Sequence, residues 1–216
     1  MRLTQKIALL AGATLMGALP ASADEVVRKL DRQISAAGAS AVHLDFPVGE
    51  VRVTAGASRQ VQVHVELECD SLRKSRCVDA AKGVELISTT ANDRVRVGLK
   101  GWPRNGTKGL EATFIVSVPR DLPLKADLGV GEMKISGMAN DVTADLGVGE
   151  VSVTMAENAV GSVSLDTGVG EASLYAQGRH WESSGFIARE LNWSKGSGKA
   201  DVRVDCGVGE ALVRLE

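Results

Sequence analysis

The sequence predicts an all-β fold, a repetitive single-stranded β-solenoid-like stack with one short helix near 71–82. Three observations carry this expectation. One hexapeptide recurs five times, as Asp45-Phe-Pro-Val-Gly-Glu50, Asp127-Leu-Gly-Val-Gly-Glu132, Asp145-Leu-Gly-Val-Gly-Glu150, Asp166-Thr-Gly-Val-Gly-Glu171 and Asp205-Cys-Gly-Val-Gly-Glu210. Repetition of this fidelity inside one chain marks stacked copies of a single supersecondary unit. Apolar residues alternate on both sides of every copy, which is the period of a strand. Aromatic residues make up only 3% of the chain, so the interior must be thin and filled by small, mostly β-branched side chains.

The repeat has a phase defect that defines its shape. Val142, Ala144, Leu146 and Val148 alternate with small or polar residues, but past Glu150 the apolar set becomes Val151, Val153 and Met155. Parity has slipped by one residue. The same slip separates Leu124, Ala126 and Leu128 from Met133 and Ile135, and Val202, Val204 and Cys206 from Ala211, Val213 and Leu215. One face stays buried through such a slip only where a turn or β-bulge absorbs a residue, and glycine supplies the backbone freedom. Each copy therefore reads as strand, corner, strand. The corners fall at Gly49, Gly129, Gly131, Gly147, Gly149, Gly168, Gly170, Gly207 and Gly209. Val48, Val130, Val148, Val169 and Val208 are expected to point inward. The first glycines of the last four copies are spaced by 18, 21 and 39 residues, the last close to two units, which suits coils of a solenoid. Cys206 falls in the inward slot occupied by Phe46, Leu128, Leu146 and Thr167 in the other copies, the place of a small buried hydrophobe.

The same geometry sends Asp45, Asp127, Asp145, Asp166 and Asp205 outward and leaves Glu50, Glu132, Glu150, Glu171 and Glu210 at the slip. If copies stack directly, like carboxylates recur every ~4.8 Å and repel unless cations intervene. Two readings follow. The acids bond to corner N–H groups and keep the edge soluble, or Asp127, Asp145, Asp166, Asp205, Glu132, Glu150, Glu171 and Glu210 form a hard-cation ladder. Neither an EF-hand loop nor a Gly-Gly-x-Gly-x-Asp nonapeptide supports the second.

Elsewhere, residues 24–40 fit an edge strand, with a helix as the alternative. Val61, Val63, Val65 and Leu67 form a strand. Val84–Ile87 and Val95–Leu99 form a hairpin. Leu110–Val118 is a strand ended by Pro119, after a loop at 101–109. Cys69 and Cys77 are expected to pair in an oxidising compartment. The segment 176–199 breaks the rhythm. Its Trp181, Phe186 and Trp193 either cap the open end of the stack or form an interaction patch.

The first 23 residues have the form of a cleaved secretory leader, with basic Arg2 and Lys6, an apolar stretch from Ile7 to Leu19 and a small-x-small site at Ala21-Ser-Ala23. Residues 24–216 then form one β-repeat domain, more regular from about 110 onward. No later segment is apolar enough for a transmembrane anchor. With 25 basic against 27 acidic side chains, the chain lacks the basic excess of a nucleic-acid binder. His43, His64 and His180 are scattered and no Ser-His-Asp pattern occurs. No catalytic residue and no cofactor is therefore expected. A non-catalytic exported envelope protein with a structural, scaffolding or protein-interaction role, meeting an envelope or surface partner, is the leading reading. A cation- or glycan-binding module and a polysaccharide-active enzyme are the alternatives.

Val116-Ser-Val-Pro-Arg-Asp-Leu-Pro-Leu124 and the Gly-Val-Gly-Glu copies after it give the chain a family likeness. Over roughly 40–216 it resembles the bacterial putative-adhesin β-strand-repeat family, a domain of unknown function related to the toast-rack domains of envelope-stress proteins. The resemblance implies an extracytoplasmic, solenoid-like β-fold without a catalytic centre, and transfers no catalytic residue.

Overall fold

The computed structural model describes residues 25–70, 74–103, 109–183 and 189–216; the expected leader and Phe186 lie outside them. The strands are β1 (Glu25–Ser35), β2 (Ala41–Gly56), β3 (Gln60–Cys69), β4 (Glu85–Ala91), β5 (Arg94–Lys100), β6 (Leu110–Pro119), β7 (Leu124–Ser136), β8 (Val142–Met155), β9 (Val160–Ala176), β10 (Arg179–Glu182), β11 (Arg189–Trp193) and β12 (Ala200–Leu215). One helix, α1 (Lys74–Lys82), follows β3. All twelve strands belong to one sheet. The fold is all-β and solenoid-like, and within the stretch read as strand or helix Glu25–Ser35 forms an edge strand.

The five repeat copies are the long strands β2, β7, β8, β12 and β9, parallel and in register in that order. These strands must bend. Val142 pairs with Leu124, yet a straight thirteen-residue strand would carry Ser136 roughly 40 Å from Leu124. The link from Ser136 to Val142 reaches at most about 20 Å. The chain therefore folds back at Gly-Val-Gly, and both arms face one core. Leu124, Ala126 and Leu128 enter it from the first arm of β7, and Met133 and Ile135 from the second.

The corner is a glycine structure for two separate reasons. The second glycine of each copy has a φ between 135° and 140°, which L side chains rarely adopt. Its missing Cβ is also where the neighbouring rung passes: a Cβ on Gly149 would overlap the carbonyl oxygen of Gly131, and one on Gly209 that of Gly149. The first glycine needs only the second condition. A Cβ on Gly168 would lie 2.6 Å from the carbonyl oxygen of Gly207. In β2 this position is Pro47. There the rung has no ladder partner on its other side, because β5 pairs with Ala41–Asp45 and β6 only from Glu50 onward. A proline without an N–H is tolerated at such a gap.

The central valines correct the sequence reading. Val130, Val148, Val169 and Val208 are 46–49% exposed, and Val48 is partly exposed. Parity placed them inward, but the positive-φ glycine after each valine turns the chain before the inward slot is reached. The residue absorbed by the slip is carried outside the core.

Chain order and spatial order differ at one point. β12, the C-terminal strand, lies between β8 and β9. The 39-residue spacing before the last copy is the length of a path out along β10 and β11 and back into the stack. β11 pairs with Val163–Thr167 and β10 with Ser173–Ala176, so these two strands cover the outer edge of β9. Trp193 is buried and Trp181 packs partly buried against the core.

The opposite end is closed by the N-terminal strands. β4 and β5 form the expected hairpin, turned by Asn92 and Asp93 with φ of 51° and 56°, the conformation of a type I′ turn. Arg28 donates to the carbonyls of Ala81, Lys82 and Val84 at 2.7–2.9 Å, and Arg32 to that of Leu86 at 2.8 Å. Arg28 thus ties β1 to the end of α1 and the residue before β4, and Arg32 ties it to the free side of β4 itself, where an unpaired strand edge would otherwise recruit another chain. Cys69 and Cys77 form the expected disulfide, tying α1 to the end of β3.

Gly149→Ala is expected to cost at least about 2 kcal/mol in denaturant unfolding, from backbone strain and the clash with the next rung. Gly178→Ala, with positive φ but open space around it, should cost about 1 kcal/mol. Equal costs would show that rung contact plays no part. Replacing Cys69 and Cys77 together by serine should lower stability by about 2–3 kcal/mol, as loop-closure entropy predicts for so short a loop.

Candidate functional site: the corner edge

Register turns the repeat into rows that cross the stack. Asp45, Asp127, Asp145, Asp205 and Asp166 stand in one row, and Glu190 of β11 extends it beside Asp166. Two residues further along lie Pro47, Gly129, Gly147, Gly207 and Gly168. Next come Val48, Val130, Val148, Val208 and Val169, and then Glu50, Glu132, Glu150, Glu210 and Glu171, in the same rung order. Adjacent members are one strand spacing apart, about 4.8 Å.

One lysine relieves the repulsion between two members of the aspartate row. Lys125 bonds to Asp145 at 2.6 Å and Asp127 at 3.1 Å, and His43 contacts Asp127. The Lys125 pKa is raised by these bonds, that to Asp145 first. Burial pushes the Asp145 carboxyl up, but hydrogen bonds from Lys125 and within the Asp127 and Asp205 neighbourhood bring it below its ordinary value. Asp205 behaves oppositely. Burial, then the charges of Asp145 and Asp166, raise its pKa. Among the described residues no ion pair joins Asp45, Asp205, Asp166 or Glu190 to a cation, although the charge of Arg203 partly offsets the rise at Asp205. On the glutamate row Lys134 pairs with Glu132, and Arg52 with Glu50.

These contacts revise the expected role of the acids. The aspartates beside Lys125 bond to side chains of neighbouring rungs, and no bond from them to a corner N–H occurs among the described residues. The cation ladder gains no support: among the described residues no three His, Cys, Asp or Glu side chains converge to hold a metal ion. Cys206 lies buried in the inward slot as expected, and burial raises its thiol pKa, which disfavours a reactive thiolate. Trp193 is a core residue with its indole Nε1 unbonded, and Trp181 is half-covered. The two tryptophans therefore do not make an open aromatic patch.

A groove follows the glycine row. Its middle, about 570 Å³, is lined by Asp45, Asp127, Asp145 and Asp205 over Pro47, Gly129, Gly147 and Gly207. It continues past Asp205 and Gly207 into about 390 Å³ beside Asp166, Glu190 and Gly168. At the other end it opens past Asp45 and Pro47 into about 690 Å³ beside Val48, Ile87, Leu99, Lys100 and Trp102. Sequence reasoning missed Ile87, Leu99, Lys100 and Trp102, because nothing local shows that the β4–β5 hairpin docks on the first arm of β2. It missed the exposed valine row for the parity reason above.

Comparison with known proteins agrees with the architecture. The family model for the N-terminal domain of toast_rack, DUF2154, matches residues 21–175. The crystal structure of a putative cell adhesion protein from Clostridium sporogenes is similar with a TM-score of 0.52 at 15% identity, covering 88% of this chain and 99% of that one. A putative adhesin from Parabacteroides merdae gives a TM-score of 0.23 at 8% identity, over 88% and 97% of the two chains, too weak a likeness to carry structural meaning. No curated protein matches.

Asp205→Asn is expected to raise the melting temperature at neutral pH by removing a carboxylate held between the like charges of Asp145 and Asp166. The pH dependence has a definite sign. A raised pKa means that the fold holds the Asp205 proton more tightly than the unfolded chain does. The penalty is therefore full above the folded pKa and relieved as pH falls through it. Asp145, with a lowered pKa, contributes stability that is lost as pH falls through its own folded value. Melting curves from neutral to acidic pH should show Asp205→Asn losing its advantage as pH drops; a variant less stable than the parent at neutral pH contradicts the repulsion account.

Proposed function

The chain belongs to the toast-rack N-terminal domain family, and from that premise and the corner geometry we propose an exported, non-catalytic envelope protein that works through protein contacts along its corner edge. The observation that carries this reading is the valine row, five apolar side chains in register across five strands and left partly or half exposed. A continuous exposed apolar stripe bordered by charge is the usual form of an interaction surface. Export is supported by the leader-like residues 1–23 and by the Cys69–Cys77 disulfide, a bond that persists in oxidising compartments.

A polysaccharide-active reading would use Asp145 and Asp205, neighbouring carboxyls with pKa values pushed apart. That split has a structural source. Lys125 serves Asp145, while Asp205 sits between the like charges of Asp145 and Asp166, which with burial outweigh the opposing charge of Arg203. Both residues are the same position of the same repeat. Adhesion describes the Clostridium relative, and for this chain the contact reading is the broader one.

The test places a photo-crosslinking amino acid at Val148 or Val169 in the native envelope, with Ile115, exposed on another strand face, as control. Discrete protein adducts at the valines and none at Ile115 are expected. Absence of adducts at the valines, or recovery of the protein from the cytosol alone, would overturn the proposal.

A further inference from the structure

The groove along the corner edge has two unlike ends, and we infer that it docks an extended basic segment of a partner protein, with a large apolar side chain at the β5 end and lysine or arginine at the β11 end. This deepens the reading above and rests on the corner edge being a contact surface.

At the β5 end the lining is mostly apolar, with the carboxylate of Asp45 set against Lys100. Ile87, Leu99, Trp102, Pro47 and Val48 surround the wide part of the groove, and Lys100 is the cation beside them. Ile87 is 43% exposed, an apolar side chain with room to bury against an incoming one. Lys100 disfavours a second cation there. At the β11 end the acidic lining is Asp205, Asp166 and Glu190, three adjacent carboxylates without an ion-paired cation among the described residues. Asp127 and Asp145, nearer the middle, already hold Lys125. An ammonium or guanidinium group entering the groove meets its best-matched charge at the far end.

The middle of the groove selects the backbone form of the occupant. Gly129, Gly147 and Gly207 contribute no side chains, so a chain can lie flat across the rungs. The aspartate and valine rows are three residues apart, about 10 Å along the strand. That admits an extended chain and excludes a helix, whose width with side chains is about 10–12 Å before its flanking walls are counted. From β5 to β11 the path crosses six strand spacings, roughly 29 Å, or about nine extended residues. Lysines on alternate residues do not match the rung spacing, so recognition depends on end chemistry and charge, with little demand on register.

The probe is a fluorescein-labelled peptide of about nine residues, with tryptophan at one end, two arginines at the other and serine and valine between. It is titrated against the full chain by fluorescence anisotropy at low and physiological salt. Saturable binding that weakens with salt is expected. Asp166→Asn with Glu190→Gln should weaken it at least tenfold. Val148→Thr with Val208→Thr, which keeps side-chain shape and branching, should also weaken it while melting temperature stays unchanged. The inference is overturned if the arginine peptide does not bind, if a peptide with glutamate for arginine binds equally, or if both variant pairs bind like the parent. Failure of the peptide with crosslinks still forming at Val148 would discard the groove assignment alone. Loss of those crosslinks would discard the contact surface itself.

Discussion

The closest constraint in this protein is backbone against backbone. At every corner the second glycine lies so near the carbonyl of the next rung that no Cβ fits between them. Parallel strands elsewhere tolerate many side chains, because pleats alternate above and below the sheet. Here a positive φ turns the peptide plane into the stacking direction, and five copies must make the same turn to remain in register. The hexapeptide repeats with such fidelity because each glycine is constrained by its own conformation and by the rung beside it.

From that stacking follow the two edge solutions. A stack of bent parallel strands has two open ends, and each end exposes unpaired backbone groups. One end is covered by β10 and β11 on β9. The other is taken up by β5 and β6 on the two arms of β2, and then by arginine side chains that join β1 to the end of α1 and to β4. β12 bridges β8 and β9, so the parallel core requires a strand that follows both of them in sequence, and this long-range pairing carries a large loop-closure cost during folding.

Register also multiplies chemistry. One aspartate per repeat becomes a row of carboxylates, and one valine becomes an apolar ridge. The rows are regular, but their pairing is not: Lys125 bonds to Asp127 and Asp145, while Asp45 at one end and Asp205, Asp166 and Glu190 at the other have no ion pair among the described residues. The difference between the two ends of the groove arises from which residues happen to precede each aspartate, and from the β4–β5 hairpin and β11 that border the stack.

The repeat, the strand periods, the helix near 71–82, the hairpin, the disulfide and the buried place of Cys206 were legible in the sequence, because each depends on contacts within a rung or on local backbone preference. The family likeness was legible for the same reason. The outward turn of the valines was not, since alternation counts residues and cannot register a positive φ that removes one from the count. Nor were the insertion of β12 between β8 and β9, the burial of Trp193, and the joining of Trp102, Ile87 and Lys100 to the end of an acidic groove. Those outcomes depend on which strand edge pairs with which, a choice made by the packing of the whole sheet.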